Sequence, residues 1–209
     1  MGGRPGHGVT RALVILLHGV NARGRDVARI AAGWRLPGTT VVAPDAPFAS
    51  DQSPGARMWF SLAGITAENR PGRVVAARAA FDAVIGDAVR AAGLHGRLDR
   101  VALVGFSQGT IMALDAVASG RWPVAGVVGF SGRFATADAT KAGTPVLLVH
   151  GTDDPAIPVA ESQNAETCLA AAGCPVSLTV LPALGHWVDD RGAALAGAFL
   201  ARALADPPA

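Results

Sequence analysis

Short apolar runs alternate with longer amphipathic stretches along most of the chain. Residues 13–17 read Leu-Val-Ile-Leu-Leu with no polar position, as in a strand covered on both faces. Runs at 39–43, 101–104, 124–130, 145–149 and 176–181 repeat the theme. They are rich in Val and Leu and bounded by Gly or Pro, which favours strand over helix. Between them, apolar residues recur at helical spacing. Val74, Phe81, Ile85 and Val89 mark one helix, on which Arg78 and Asp82 form an i,i+4 pair. Ile111, Leu114 and Val117 mark a second, ended by Gly120. Residues 161–172 form a third, stopped by Gly173, and Leu195, Phe199, Leu200 and Leu204 mark a C-terminal one. Strands alternating with helices predict an α/β fold, a mostly parallel central sheet with helices on both faces.

Residues 44–72 break the pattern. They are rich in Pro, Ser and Gly yet hold Met58, Trp59 and Phe60. A loop that long in a compact domain is usually functional, and its aromatics must pack on the core or on a ligand.

Composition narrows the classes. A chain of 209 residues, 50% hydrophobic and 16% charged, is expected to fold as one domain over 1–209, with 1–10 and 206–209 frayed. A net charge of +2 without a basic cluster argues against a nucleic-acid partner. No apolar stretch reaches the ~20 residues of a membrane helix. Arg11 followed by the apolar residues 12–17 superficially resembles a leader, but the run is shorter than the roughly 7–15 residues of a signal h-region and no small-residue cleavage site follows. It reads as a buried strand, in a cytoplasmic protein without a membrane span. Cys168 and Cys174 are too few for a disulfide scaffold or a four-ligand zinc site. The helix end at Gly173 would bring the two thiols near each other, reduced and half-buried.

The chemistry centres on Gly105-Phe106-Ser107-Gln108-Gly109, between a predicted strand and a predicted helix. This is the G-x-S-x-G elbow in its strand–turn–helix setting. Its turn is so tight that a side chain two residues before or after the serine would strike backbone. A serine nucleophile needs a base, and the base an orienting carboxylate, which follow in the order Ser, acid, His in this fold class. His186 lies between the last strand and the last helix and is the candidate base; His150 ends a strand and reads as structural. The acid belongs on the loop after 145–149, where Asp153 and Asp154 both lie. Spacing leaves the two open: Pro155 favours Asp154, while Asp153 is suited to capping the turn. Oxyanion donors are expected from the Gln108 N–H, at a helix start, and from the loop after the first strand, at Val20. His18 reads as a residue shaping that loop. Asp45, Asp51, Asp189 and Asp190 lack histidines at metal-ligand spacing, so neither a metal nor a cofactor is expected.

Taken together, Leu16-Leu17-His18-Gly19, Pro44-Asp45-Ala46-Pro47, Trp59-Phe60, Gly105 to Gly109, His150-Gly151 with Asp154-Pro155 and Pro158, and Gly185-His186 resemble the phospholipase/carboxylesterase family. The pieces occur in family order over nearly the whole chain. The resemblance implies an α/β-hydrolase fold with Ser107 as nucleophile, Asp154 as acid, His186 as base, and Val20 and Gln108 at the oxyanion positions. The chain departs from many relatives at Ser61, where they have Asp after Trp-Phe, and in the loop from Val20 to Asp26. Residues 131–143 are too short for a cap domain, so an open site for short or protruding acyl esters or thioesters is expected, lined by Met58, Trp59, Phe60, Ile157 and Trp187. Lactone or amide hydrolysis, or a non-catalytic binding role, are the alternatives. The expected partner is a small-molecule or acyl-chain ester, and the state monomeric or homodimeric.

Overall fold

A computed structural model describes residues 11–136, 139–140 and 143–205. The termini expected to fray, 1–10 and 206–209, lie outside the described residues. In chain order the strands are β1 (Ala12–Leu17), β2 (Thr39–Val42), β3 (Phe48–Ala49), β4 (Arg57–Met58), β5 (Val101–Phe106), β6 (Gly126–Phe130), β7 (Val146–Gly151) and β8 (Val176–Leu181). The helices are α1 (Gly24–Val27), α2 (Arg70–Ala91), α3 (Gln108–Ala118), α4 (Ala160–Ala171) and α5 (Asp190–Ala203).

Six strands form one parallel sheet in the order β2-β1-β5-β6-β7-β8. Strand side chains alternate between faces, so a strand buried on both sides feeds two cores. In β1, Leu13, Ile15 and Leu17 join the core under α2, α3 and α4, while Ala12, Val14 and Leu16 join the one under α1 and α5. The edge strand β8 is only partly buried, with Glu166 of α4 accepting from its Leu178 N–H at 3.1 Å. The apolar run read as a buried strand, residues 12–17, is the second strand of the sheet.

Arg90 and Asp87 pair along α2, but the half-buried charges of this helix bind across the fold. Arg78 forks onto both oxygens of Asp115 on α3 at 2.8 and 3.0 Å, and Asp82 accepts from Arg121 and the Trp122 indole. The i,i+4 pair predicted from spacing is replaced because α3 brings a fully buried carboxylate to Arg78, and a buried charge needs partners. Helix α4 ends as expected, with the Cys174 N–H donating back to the Leu169 carbonyl at 3.0 Å. Cys168 and Cys174 are both free thiols, and burial pushes the Cys174 thiol above its ordinary value.

The irregular segment 44–72 has structure of its own. β3 and β4 form a small antiparallel ribbon, pairing Phe48 with Met58 and Ala49 with Arg57. The ribbon is joined to the loop after β1 by an antiparallel bridge between Arg57 and Ala22.

Candidate active site

The parallel strands all finish at one edge, and the loops that leave them build the site. Ser107 joins β5 to α3 with φ 52° and ψ −115°, a backbone conformation that costs energy for any residue with a Cβ. The turn is held by the Ser107 N–H, which donates to the Phe130 carbonyl of β6 at 2.9 Å. The elbow glycines are there for close approach. A Cβ on Gly105 would lie 2.4 Å from the Thr110 nitrogen, and one on Gly109 would lie 2.2 Å from the Leu17 carbonyl oxygen.

Asp154 and His186 come from the loops after β7 and β8. His186 Nδ1 lies 2.7 Å from Asp154 Oδ2, so the ring donates there and its Nε2 is left as the free nitrogen. The other carboxylate oxygen accepts the amides of Ala156 and Ile157 at 2.9 and 2.8 Å. Burial by itself would raise the Asp154 carboxyl; the Ile157 amide, His186 and the Ala156 amide outweigh it and hold the group below the usual carboxylate range. Asp153, the other candidate, instead takes the Thr152 hydroxyl at 2.7 Å in an exposed turn. Phe106 stacks obliquely on the His186 ring, centroids 4.9 Å apart.

His18 is buried and its two nitrogens have different jobs. Nδ1 donates to its neighbour's carbonyl, Gly19 O, at 2.7 Å, while Nε2 accepts the Ala46 N–H at 2.9 Å. Acceptance at Nε2 requires a neutral ring, and desolvation lowers its pKa. In a trans peptide the carbonyl and the following N–H point in opposite directions. Holding the Gly19 carbonyl against His18 therefore turns the Val20 N–H away from it. Val20, Gln108, Ser107 and His186 border one cavity of about 350 Å³. The Gln108 N–H belongs to the first turn of α3, where amides have no partner within the helix.

Of the five side chains expected to line the site, Phe60 and Ile157 border this cavity. Met58 does not: it faces a separate hollow with Phe48, Arg73 and Ala76. Trp59 does not either. It is fully buried, packs edge-on against Phe81, and donates its indole N–H to the His18 carbonyl at 2.8 Å. In an irregular strap of three adjacent apolar residues, no period says which one turns inward. Trp187 is 59% exposed and borders a smaller hollow of about 170 Å³ with Ala22, Val27 and Ile30, which shares Gly19, Phe106 and His186 with the cavity.

Three features were not read from the sequence. The Gln108 side chain clamps the strap to the elbow, accepting from the Trp59 N–H at 2.8 Å and donating to the Phe60 carbonyl at 2.7 Å. His150 lies behind the carboxylate, its Nε2 2.8 Å from the Ile157 carbonyl and 3.2 Å from Asp154 Oδ2. Arg70 and Arg133 border the cavity. The glutamine stood inside the quoted motif, and the arginines had no motif to mark them.

The family model for phospholipase/carboxylesterase matches residues 5–204. The chain belongs to the phospholipase/carboxylesterase family. Within it, the chain is similar to the esterase YpfH of Escherichia coli K12, 33% identical over 186 residues that cover 86% of this chain and 77% of YpfH. It is also similar to the crystal structure of esterase PE8, with a TM-score of 0.85 and 32% identity over 94% of each chain. The crystal structure of the Bacillus cereus carboxylesterase shares the fold, with a TM-score of 0.77 and 19% identity over 96% of this chain and 92% of that one. The protein is thus a carboxylesterase-like hydrolase of the α/β-hydrolase fold. Among the described residues, no helix is long and apolar enough to cross a membrane.

The family departure at Ser61 has a local answer. The Ser61 hydroxyl donates to Asp51, so a carboxylate stands beside this position from elsewhere in the strap.

Proposed function

We propose that this hydrolase cleaves short-chain carboxylic esters, and thioesters of similar size, through an acyl-enzyme on Ser107. The observation that carries the reading is the 2.7 Å bond from His186 to Asp154, beside a serine on a strained elbow in the same cavity. Ser107 Oγ attacks the carbonyl carbon as His186 Nε2 takes its proton. Charge developing on the carbonyl oxygen is met by the N–H groups of Val20 and Gln108, each worth roughly 2.7–4 kcal/mol in comparable sites. His186, now an imidazolium facing Asp154, returns the proton to the leaving alkoxide or thiolate. Water, activated by the same ring, then attacks the acyl-enzyme and frees the acid and Ser107.

The cavity supports a short acyl group. Its volume is near the lower end of the roughly 300–1,000 Å³ of small-molecule sites. The same reading has the chain acting as one catalytic domain on a small-molecule ester in the cytoplasm, as a monomer or homodimer, with no cofactor in the mechanism.

Hydrolysis of p-nitrophenyl esters of increasing chain length by wild type and Ser107→Ala tests it. The reading expects activity that is highest on short chains and lost in the variant. A folded wild-type protein inactive on every ester would contradict it and favour lactones, amides or a binding role.

A further inference from the structure

The acyl cavity is not uniformly apolar. Phe60, Leu62, Ile65 and Ile111 make much of its wall, but two guanidinium groups interrupt it, Arg70 and Arg133. Arg133 is half-answered: its Nη1 donates to Glu161 Oε1 at 3.0 Å. Arg70 has no hydrogen-bond or ion-pair partner for its side chain among the described residues. Glu68, two residues earlier, feels the charge of Arg70 without forming an ion pair with it. Among the described residues no carboxylate borders the cavity, and Asp154, beyond His186, is already held by that ring and two amides.

The position of Arg70 is unusual for a structural charge. It is the first residue of a 22-residue helix whose first turn contains no acidic residue. The positive end of a helix dipole disfavours a cation and favours an anion. Arg133 and Arg70 are near enough to act on each other. Burial pulls the Arg133 guanidinium below its ordinary value, Glu161 offsets part of that, and the charge of Arg70 adds to the drop. Two mutually repelling cations border the cavity that holds Ser107, and Arg70, at the N-terminus of α2, has no partner among the described residues.

We propose that the acyl part of the substrate carries a carboxylate, so that the enzyme prefers half-esters of dicarboxylic acids, with Arg70 as the principal anion-binding residue. The inference rests on the esterase reading above. The end of the substrate follows from the layout. Ser107 borders only the larger of the two hollows beside His186. The acyl group is the part that bonds to Ser107, so it occupies the cavity with the arginines. The alcohol leaves past His186 towards Trp187 and Val27. Apolar walls suit the methylene chain, and the guanidinium takes the terminal carboxylate through charge-assisted hydrogen bonds.

A matched pair of substrates tests this: mono-p-nitrophenyl adipate and p-nitrophenyl hexanoate, which have equal acyl length and differ in a terminal carboxylate or methyl. Rates are corrected for enzyme-free hydrolysis and for Ser107→Ala. The expected result is a kcat/KM for the adipate higher by about tenfold or more in wild type. That ratio should fall towards or below one in Arg70→Gln and be partly kept in Arg70→Lys, which retains the charge but not the planar fork. A residue with only a structural role would change both rates together and leave the ratio intact. Hydrolysis of the hexanoate without preference for the adipate, or a ratio unmoved in Arg70→Gln, overturns this inference alone. Hydrolysis of neither ester overturns the esterase reading and this inference with it.

Discussion

The elbow at Ser107 and the strap of residues 44–72 wall the same cavity, yet different physics holds each in place. At the elbow the fold is specified locally. Adjacent strands fix β5, α3 begins at the next residue, and two missing Cβ atoms let backbone pass within contact of backbone. The strap has only a two-residue ribbon and the bonds of Arg57 to the Ala46 and Pro47 carbonyls as structure of its own. Its polar ties to the rest of the fold include Gln108 to Trp59 and Phe60, and His18 to Ala46. In the proposed mechanism the nucleophile rests on the elbow, while part of the wall of the proposed acyl cavity rests on the strap. Chemistry and specificity should therefore respond to different substitutions.

The largest separation is expected at the acid. Asp154→Asn should lower kcat by about 10⁴-fold with an unchanged fold, because an amide holds the imidazole in the wrong tautomer. Asp153→Asn should stay within a few-fold of wild type. Steady-state kinetics on both variants checks this, and near-normal turnover in Asp154→Asn would move the role to Asp153. Next comes the elbow itself. Gly109→Ala forces a Cβ against the Leu17 backbone and should destabilise by about 3 kcal/mol or more, read by urea denaturation.

The strap should yield more gently. Gln108→Ala leaves the buried Trp59 N–H and Phe60 carbonyl without partners, at about 1–3 kcal/mol each. Its signature is a raised KM for the longer acyl esters, since Phe60 is released and Ser107 is not. A loss confined to kcat would break the distinction between the two regions.

The smallest effect is a pH dependence at His18. Its folded pKa lies below the ordinary 6.5, first because of desolvation, with the Gly19 carbonyl and Asp45 acting in the other direction. The unfolded chain then binds the extra proton more readily. The contribution to stability is complete above about pH 6.5 and is lost as the pH falls from there through the lowered folded value. Urea midpoints at pH 7.5 and 5.5 should differ less in His18→Gln than in wild type.

Legibility in the sequence follows the same division. The strands were plain because continuous Val- and Leu-rich runs need two covered faces, and five of the six main-sheet strands begin within one residue of the expected start. Ser107, His186 and the Asp153/Asp154 loop were marked by spacing around strand ends. The choice between the two aspartates was not, since it depends on which carboxylate meets a ring 32 residues away. Trp59 was misplaced into the lining because the strap has no period. The partner of Arg78 was misplaced because helical spacing identifies neighbours on one helix and is blind to Asp115 on the next. Arg70 carries no signal of either kind: only the fold, which starts α2 at the cavity, brings it there.

The account stands on Ser107 forming a covalent acyl-enzyme. Intact-mass measurement after treatment with a fluorophosphonate probe tests that most directly, with wild type, Ser107→Ala and His186→Ala side by side. The account predicts one stoichiometric adduct on wild type, mapped by peptide sequencing to Ser107, none on Ser107→Ala, and strongly slowed labelling of His186→Ala. A folded wild-type protein that takes no label, or takes it at another residue, would contradict it.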